Sequence, residues 1–319
     1  LRNVNQRLKM DKKALFIINP ASGQGRQKEL ERSLINQAKS SGYDIIFSEK
    51  PGHAFQLSSQ AAGNYDIVVA VGGDGTVNEV GRGLINSSTA LGIIPTGSGN
   101  GLARFLQIPV KINKAFEVIK EGSVKSIDVI KINDYYSFNV AGIGFDAYIS
   151  HKFAHKKKRG PLAYMQLISK EFPKYKSENY TIFVDGAKIQ LDAFLVSFAN
   201  SSQYGNNFHI APGALIDDGL IDVCLIKDFP KFSAPALLIS MLDQSIDKNK
   251  YDTIIRARNI TIRHPKPLFG HVDGEPVNLG VEAHINILPL ALKVTTPPEH
   301  LIQAPNILQP LMDMIPLGI

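Results

Sequence analysis

Residues 69–85 read VAVGGDGTVNEVGRGLI, three glycines set around one aspartate where an apolar run gives way to a helical pattern. Glycine is the costliest residue to order, so Gly72, Gly73 and Gly75 imply either a close approach to this turn or backbone angles that other residues resist. The preceding run, DIVVAV (66–71), reads as a buried strand and TVNEVGRGLI (76–85) as a helix. Thr76 with Glu79 three residues on forms a capping-box pattern, which would leave Asp74 just outside the helix without a capping role. The competing reading makes Asp74 itself a helix cap.

Working outward, strand-like and helix-like segments alternate. ALFIIN (14–19), YDIIFS (43–48) and ALGIIP (90–95) read as strands; 25–40 and HAFQLSSQAA (53–62) read as helices. Apolar strands separated by helices predict a parallel sheet covered on both faces. After about residue 127 the texture becomes mostly antiparallel β. Hairpins are expected around Asn133-Asp134 and Asp185-Gly186, further strands at 220–226, 259–265 and 283–295, and helices near 160–171 and 231–247. The fold class is therefore α/β plus β. The expected domains are 10–127, joined by a returning segment 293–319, and 128–292.

Of the 319 residues 44% are hydrophobic, enough for two medium domains, and no apolar run suggests a spanning helix. Residues 1–10 lack the apolar core of a signal peptide, and Met10 can serve as a start with 1–9 upstream of it. A single cysteine, Cys224, forbids an internal disulfide and suits a cytoplasmic setting. The net charge of +6 suits anionic partners without choosing among them.

Ligands of open parallel sheets lie beyond the carboxyl ends of the strands, where glycine turns let N–H groups approach phosphate. GGDG is neither a Rossmann fingerprint nor a Walker A loop. Two further glycine turns, NPASGQG (19–25) and PTGSGNG (95–101), follow apolar strands and would share the same sheet edge. Each alone is an everyday loop; their convergence points to a phosphate site. A carboxylate about 4 Å from a phosphate charge is repelled by roughly 4 kcal/mol at an effective dielectric of 20. Asp74 in such a place implies Mg²⁺, or a part in handling the acceptor's proton.

VVAVGGDGTVNEV (68–80) with LGIIPTGSGNGLAR (91–104) resembles the diacylglycerol kinase catalytic family, lipid kinases that include bacterial soluble lipid kinases and sphingosine kinases. The likeness continues through NPASG (19–23), SEKPGHA (48–54), AGIGFDA (141–147), APGALIDDGLIDV (211–223) and VDGEPV (272–277). GGDGT alone is shared with NAD kinases and phosphofructokinases; the GSGN turn and the later DGE favour the lipid-kinase branch.

The resemblance implies an NAD-kinase-like α/β domain, a β-sandwich domain, and phosphorylation of a lipid alcohol, diacylglycerol-like or sphingoid, by ATP with Mg²⁺. It implies ATP contacts by Asn19, Pro20, Ala21, Ser22, Gly23, Ser48, Gly72, Gly73, Asp74, Gly75, Thr76, Val77, Asn78 and Ser98. Glu275 would accept the hydroxyl proton, with Asp74 the competing candidate. Leu215, Asp218 and Leu220 would bind Mg²⁺, the leucines through carbonyls. Gly101 departs from the pattern, because many bacterial members carry aspartate there. Without the family, HVDGEPVN (271–278) is equally an Asp-Gly hairpin with Glu275 solvated, LIDDGL (215–220) a solvated turn, His53 a helix-start histidine and Asp146 a turn residue.

HKKKRG (155–160) is a compact basic run, suited to an anionic membrane surface or to a solvated loop. It lacks interleaved aromatics, which argues against nucleic acid. The apolar tail 299–319 places Ile307, Leu311, Met314 and Ile315 on one potential helix face, suited to packing on the protein or on a homodimer partner, with insertion into lipid as the alternative. The alternatives to a lipid kinase are an NAD kinase and a non-catalytic nucleotide- or lipid-binding protein of the same fold.

Overall fold

The computed structural model describes residues 12–22, 28–156, 161–205 and 207–302. The Arg159 end of the basic run and the Ile307–Ile315 face fall outside them. In chain order the first elements are β1 (Ala14–Ile18), α1 (Lys28–Ser40), β2 (Asp44–Phe47), α2 (His53–Ala61), β3 (Ile67–Gly72), α3 (Asp74–Leu84), β4 (Ala90–Pro95), α4 (Gly101–Phe105) and α5 (Ile112–Glu121). There follow β5 (Ser123–Ile132), β6 (Tyr135–Ser137), β7 (Val140–Gly144), α6 (Phe145–Ala154), α7 (Pro161–Glu171), β8 (Glu178–Val184), β9 (Ala187–Ala199), β10 (Ile221–Lys227), α8 (Ala234–Leu242), β11 (Ile254–Ala257), β12 (Asn259–Val272) and β13 (Glu275–Thr296).

The chain divides into two compact units. The first holds the residues up to Gly97 with Ile108–Lys125 and Leu292–Ile302; the second holds Ser98–Gln107 and Ser126–Ala291. The GSGNG turn and α4 thus pack with the second unit, although their position in the sequence suggests the first. The reason is steric: a Cβ on Gly101 would meet Asn139 Nδ2 at 2.4 Å and the Tyr204 carbonyl oxygen at 2.8 Å, so the turn lies directly on that unit's backbone.

The first unit is a parallel sheet in the order β2-β1-β3-β4. Every residue of β1, β3 and β4 is buried, as expected of strands covered on both faces. β2 is apolar yet largely exposed, because it is the edge strand of this order. α2 packs with α3, and α1 with α5, whose Phe116 meets Phe16 and Tyr43. The end of β13 returns to this unit, with Val294 beside Leu91 in parallel.

The second unit is antiparallel, with strands ordered β11-β10-β9-β7-β12-β13 and β8 paired to both β9 and β12. One core cluster joins Tyr180, Ile182, Phe198, Val223, Ile262 and Ile285 from the strands. A second, under α6, α7 and α8, is built on Phe145, Phe194, Phe229, Leu237 and Met241, with edge-to-face rings around Phe194. The hairpins turn where the sequence places them: Asn133 has φ 49°, and Asp185 and Gly186 have φ 45° and 90°, the left-handed pair of a tight hairpin.

Candidate active site

The glycines after β3 have a steric cause. A Cβ on Gly72 would lie 2.4 Å from the Thr76 side chain, and one on Gly73 would lie 3.2 Å from Gly97 Cα. Gly73 itself is extended, with φ −89°. These glycines are required by close approach, from the following helix and from the β4 turn, and not by left-handed angles.

The capping-box expectation is overturned. α3 begins at Asp74 with Gly73 as its N-cap, so Thr76 lies inside the first turn. The Thr76 hydroxyl accepts a hydrogen bond from Asn19 Nδ2 at 2.9 Å, and Glu79 accepts one from the Gly52 N–H at 2.9 Å. Both side chains look outward to neighbouring turns instead of back to their own helix end. Asp74 is the first helical residue, half-buried, where a carboxylate faces the positive end of the helix dipole.

The carboxyl ends of β1, β3 and β4 are knitted into one rim. Asn19 N–H donates to Val71 C=O at 3.1 Å and Thr96 N–H to Gly72 C=O at 2.9 Å. Asn19 Oδ1 accepts from Ala21 N–H, Ser22 Oγ donates to Asn19 C=O, and Ser22 Oγ lies 3.1 Å from Thr96 Oγ1. Ser48 is buried and donates its N–H to Ile18 C=O, next to Asn19. Val77 is a core residue, while Asn78 is half-buried and Pro20 and Ala21 are exposed. Gly23 lies outside the described residues. A helix opening on a side-chain-free N-cap, flanked by two small-residue turns, fits the charge and shape of a nucleotide's phosphates.

Glu275, Ser98 and the 215–220 turn lie in the second unit. Ser98 is exposed. Asp273 and Gly274 turn β12 into β13 with φ 49° and 88°, a two-residue left-handed turn, and Glu275 follows as an exposed residue paired with Val272. The Asp273 carboxylate accepts from Ser137 Oγ at 2.6 Å, Phe138 N–H at 3.1 Å and Asn139 N–H at 3.0 Å.

In the 215–220 turn, one Asp218 oxygen accepts from Leu220 N–H at 3.0 Å, and Oδ2 is buried with no hydrogen-bond partner. A buried carboxylate oxygen without a hydrogen-bond partner fits a hard cation. Among the described residues no cluster of three His, Cys, Asp or Glu side chains supplies a metal site of that kind. The turn is tied down by Asp128, which is fully buried: its N–H donates to Ile216 C=O, and its carboxylate accepts from Gly219 N–H and Leu290 N–H at 2.6 and 2.7 Å.

Two anchors escaped sequence reasoning, Asp128 and the pair Asp146–His271. Asp146 is not a turn residue; it sits in the first turn of α6, with Oδ2 3.0 Å from His271 Nε2. His53 does open α2, its Nδ1 accepting from Glu49 N–H at 3.1 Å.

A parallel sheet with a glycine-lined carboxyl rim, followed by an antiparallel β unit, defines an α/β plus β class of protein. Comparison with known proteins gives the family. Residues 13–132 match the diacylglycerol kinase catalytic domain, and 139–296 match the YegS C-terminal NAD kinase beta sandwich-like domain. Diacylglycerol kinases of Staphylococcus aureus strains RF122 / ET3-1 and MRSA252 are each 32% identical over 295 residues, covering 87% of this chain and 92% of theirs. The crystal structure of a putative diacylglycerol kinase from Bacillus anthracis superposes with a TM-score of 0.77 at 24% identity, over 92% of this chain and 99% of that one. A yeast NADH kinase complexed with NADH shares the fold at a TM-score of 0.52 and 13% identity, over 91% and 85% of the two chains. The chain belongs to the diacylglycerol kinase catalytic-domain family, a family of lipid kinases.

Proposed function

We propose that the protein transfers the γ-phosphoryl group of ATP to the hydroxyl of a lipid alcohol, diacylglycerol-like or sphingoid. The observation that carries this reading is Asp74 standing in the first turn of a helix with a glycine N-cap, on the knitted rim of a parallel sheet. Asn19, Ser22, Ser48, Ser98 and the segment from Gly72 to Asn78 hold the nucleotide. Mg²⁺, when bound, offsets charge on the transferred group. Asp74 keeps that charge balance at the rim, Glu275 takes the proton from the attacking hydroxyl, and Asp218 with the carbonyls of Leu215 and Leu220 holds a further Mg²⁺. Gly101 leaves no room for the carboxylate common in bacterial members, which opens the acceptor choice to sphingoid alcohols.

The reading includes a cytoplasmic enzyme that visits an anionic membrane surface. Among the described residues no helix is long and apolar enough to cross a membrane. Around α8, Phe232 is 85% exposed and Ile239 60%, beside Lys231. This face supports peripheral contact, in addition to the basic run at 155–160. Unchanged sedimentation of Phe232→Ser with anionic vesicles removes the α8 face from the account.

The test of the activity is labelled ATP with a total lipid extract and identification of the labelled product. A phosphorylated lipid alcohol is expected. Robust conversion of NAD⁺ to NADP, with no labelled lipid, makes the protein an NAD kinase instead.

A further inference from the structure

We propose that Asp146 and His271 form a buried positioning pair that fixes the turn carrying Glu275; its consequence for turnover rests on the reading of Glu275 as proton acceptor. His271 is the penultimate residue of β12, separated from the hairpin turn by Val272, and is 3% exposed. Its Nδ1 accepts a hydrogen bond from Gly274 N–H at 3.3 Å. That assignment leaves the ring hydrogen on Nε2, which donates to Asp146 Oδ2 at 3.0 Å. The imidazole is thus a bridge from the start of α6 to the backbone of the turn.

Two-residue hairpins ordinarily leave the turn amides to solvent. Here both are used: Asp273 N–H donates to Val140 C=O at 3.0 Å, and Gly274 N–H goes to His271. The Asp273 carboxylate grips residues 137–139 from the other side. Reversing the chain needs none of this; holding the next side chain in one place does.

The surroundings are shaped for the pair. Gly142 stands directly opposite His271 in the β7–β12 register. A Cβ there would lie 2.6 Å from Asp146 Oδ2 and 3.2 Å from His271 Nε2, so glycine opens the space that carboxylate and ring occupy. Asp146 Oδ2 also accepts from Tyr204 O–H at 3.0 Å and lies 3.3 Å from Ser197 Oγ, whose hydroxyl is hydrogen-bonded with that of Tyr204, while Oδ1 accepts from Ala147 N–H. Tyr204 lies against the His271 ring. Burial pushes the Tyr204 phenol well above its ordinary range, so it remains a neutral donor. Neither Asp146 nor His271 touches the reacting atoms in this account; both act through the turn.

Two variants separate the ends of the bridge. His271→Gln keeps an amide donor toward Asp146 and removes the acceptor for Gly274 N–H. His271→Asn puts a carbonyl oxygen near the Nδ1 position and keeps it. The expected result for His271→Gln is a fall in kcat of roughly ten- to a hundred-fold with KM for ATP nearly unchanged. Exchange of the Gly274 amide, followed by NMR, should rise at least roughly ten-fold while the β-core amides stay protected. His271→Asn should recover part of both. Tyr204→Phe, which removes one donor from Asp146 at almost constant volume, should move both readouts the same way by less, and serves if the histidine variants do not fold.

Parental Gly274 exchange in His271→Gln overturns the positioning pair, and so does a loss of protection spread evenly through the β core. If Gly274 exchange rises while Glu275→Gln turns over at the parental rate, the pair stands as the device that orders the turn and the role of Glu275 falls.

Discussion

The Gly-Asp-Gly rim of the first unit and the Asp-Gly-Glu turn of the second spell nearly the same letters for opposite reasons. At the rim, glycine is needed for space: Gly72 meets Thr76, and Gly73 meets Gly97, with no left-handed angle at either. At the turn, glycine is needed for its angle: Gly274 has φ 88°, and a Cβ there would touch nothing within 4 Å. The acids differ as well. Asp74 stands at the positive end of a helix, where its negative charge is favoured. Asp273 spends its carboxylate on three protein donors and fixes the turn. A glycine beside an acid therefore carries no single meaning: one glycine marks a close approach, the other a left-handed turn.

The largest expected effect is on Asp74. Asp74→Asn should lower kcat by at least about a hundred-fold while leaving the thermal midpoint near that of the parent. Parental turnover would end its proposed role and make the two acids alike.

A paired substitution sharpens the contrast between the glycines. Gly72→Ala forces a contact of 2.4 Å with a buried threonine and should destabilise by about 1–3 kcal/mol in denaturant titration, with weaker ATP binding. Gly274→Ala meets no atom and should cost about 1–2 kcal/mol from the left-handed angle alone, with ATP binding unchanged. Equal losses of ATP affinity in both would erase the distinction drawn here.

The smallest effect concerns Asp252, outside both regions, whose burial pushes its carboxyl up to about 7 from an ordinary 3.8. The folded state holds this proton more tightly than the unfolded chain does. Its contribution is therefore full below about 3.8 and is lost as pH rises through about 7. Asp252→Asn should raise the thermal midpoint at pH 8 and leave it nearly unchanged at pH 4. An equal change at both values would contradict the sign.

Much of the architecture was legible because it depends on local chemistry. Buried strands show as apolar runs, and the Asp185-Gly186 and Asp273-Gly274 turns follow from residues that tolerate positive φ. Of the three glycine turns, residues 19–22, 72–73 and 96–97 meet at the carboxyl ends of β1, β3 and β4, whereas residues 98–101 belong to the second unit. The failures at the site share one cause, which is distance along the chain. Thr76 and Glu79 match a local capping pattern, but partners 57 and 27 residues away claim their side chains. Asp128 is tied to Leu290 across 162 residues, and Asp146 to His271 across 125. No spacing in the sequence announces those contacts. β2 looks as buried as its neighbours and lies exposed only because of its place at the sheet edge. The helices α4 and α6 were missed because each opens on a glycine turn, at Gly101 and after Gly144, and α5 was missed as well.

The rim is proposed to hold a nucleotide's phosphates, with Asp74 alongside a divalent cation. A crystal structure of the protein with a non-hydrolysable ATP analogue and Mg²⁺ tests it most directly. The account predicts the triphosphate lying against Gly72, Gly73, Gly75 and Thr76, with the metal between it and Asp74. A triphosphate bound elsewhere, with the rim closed by the protein's own groups, would contradict it.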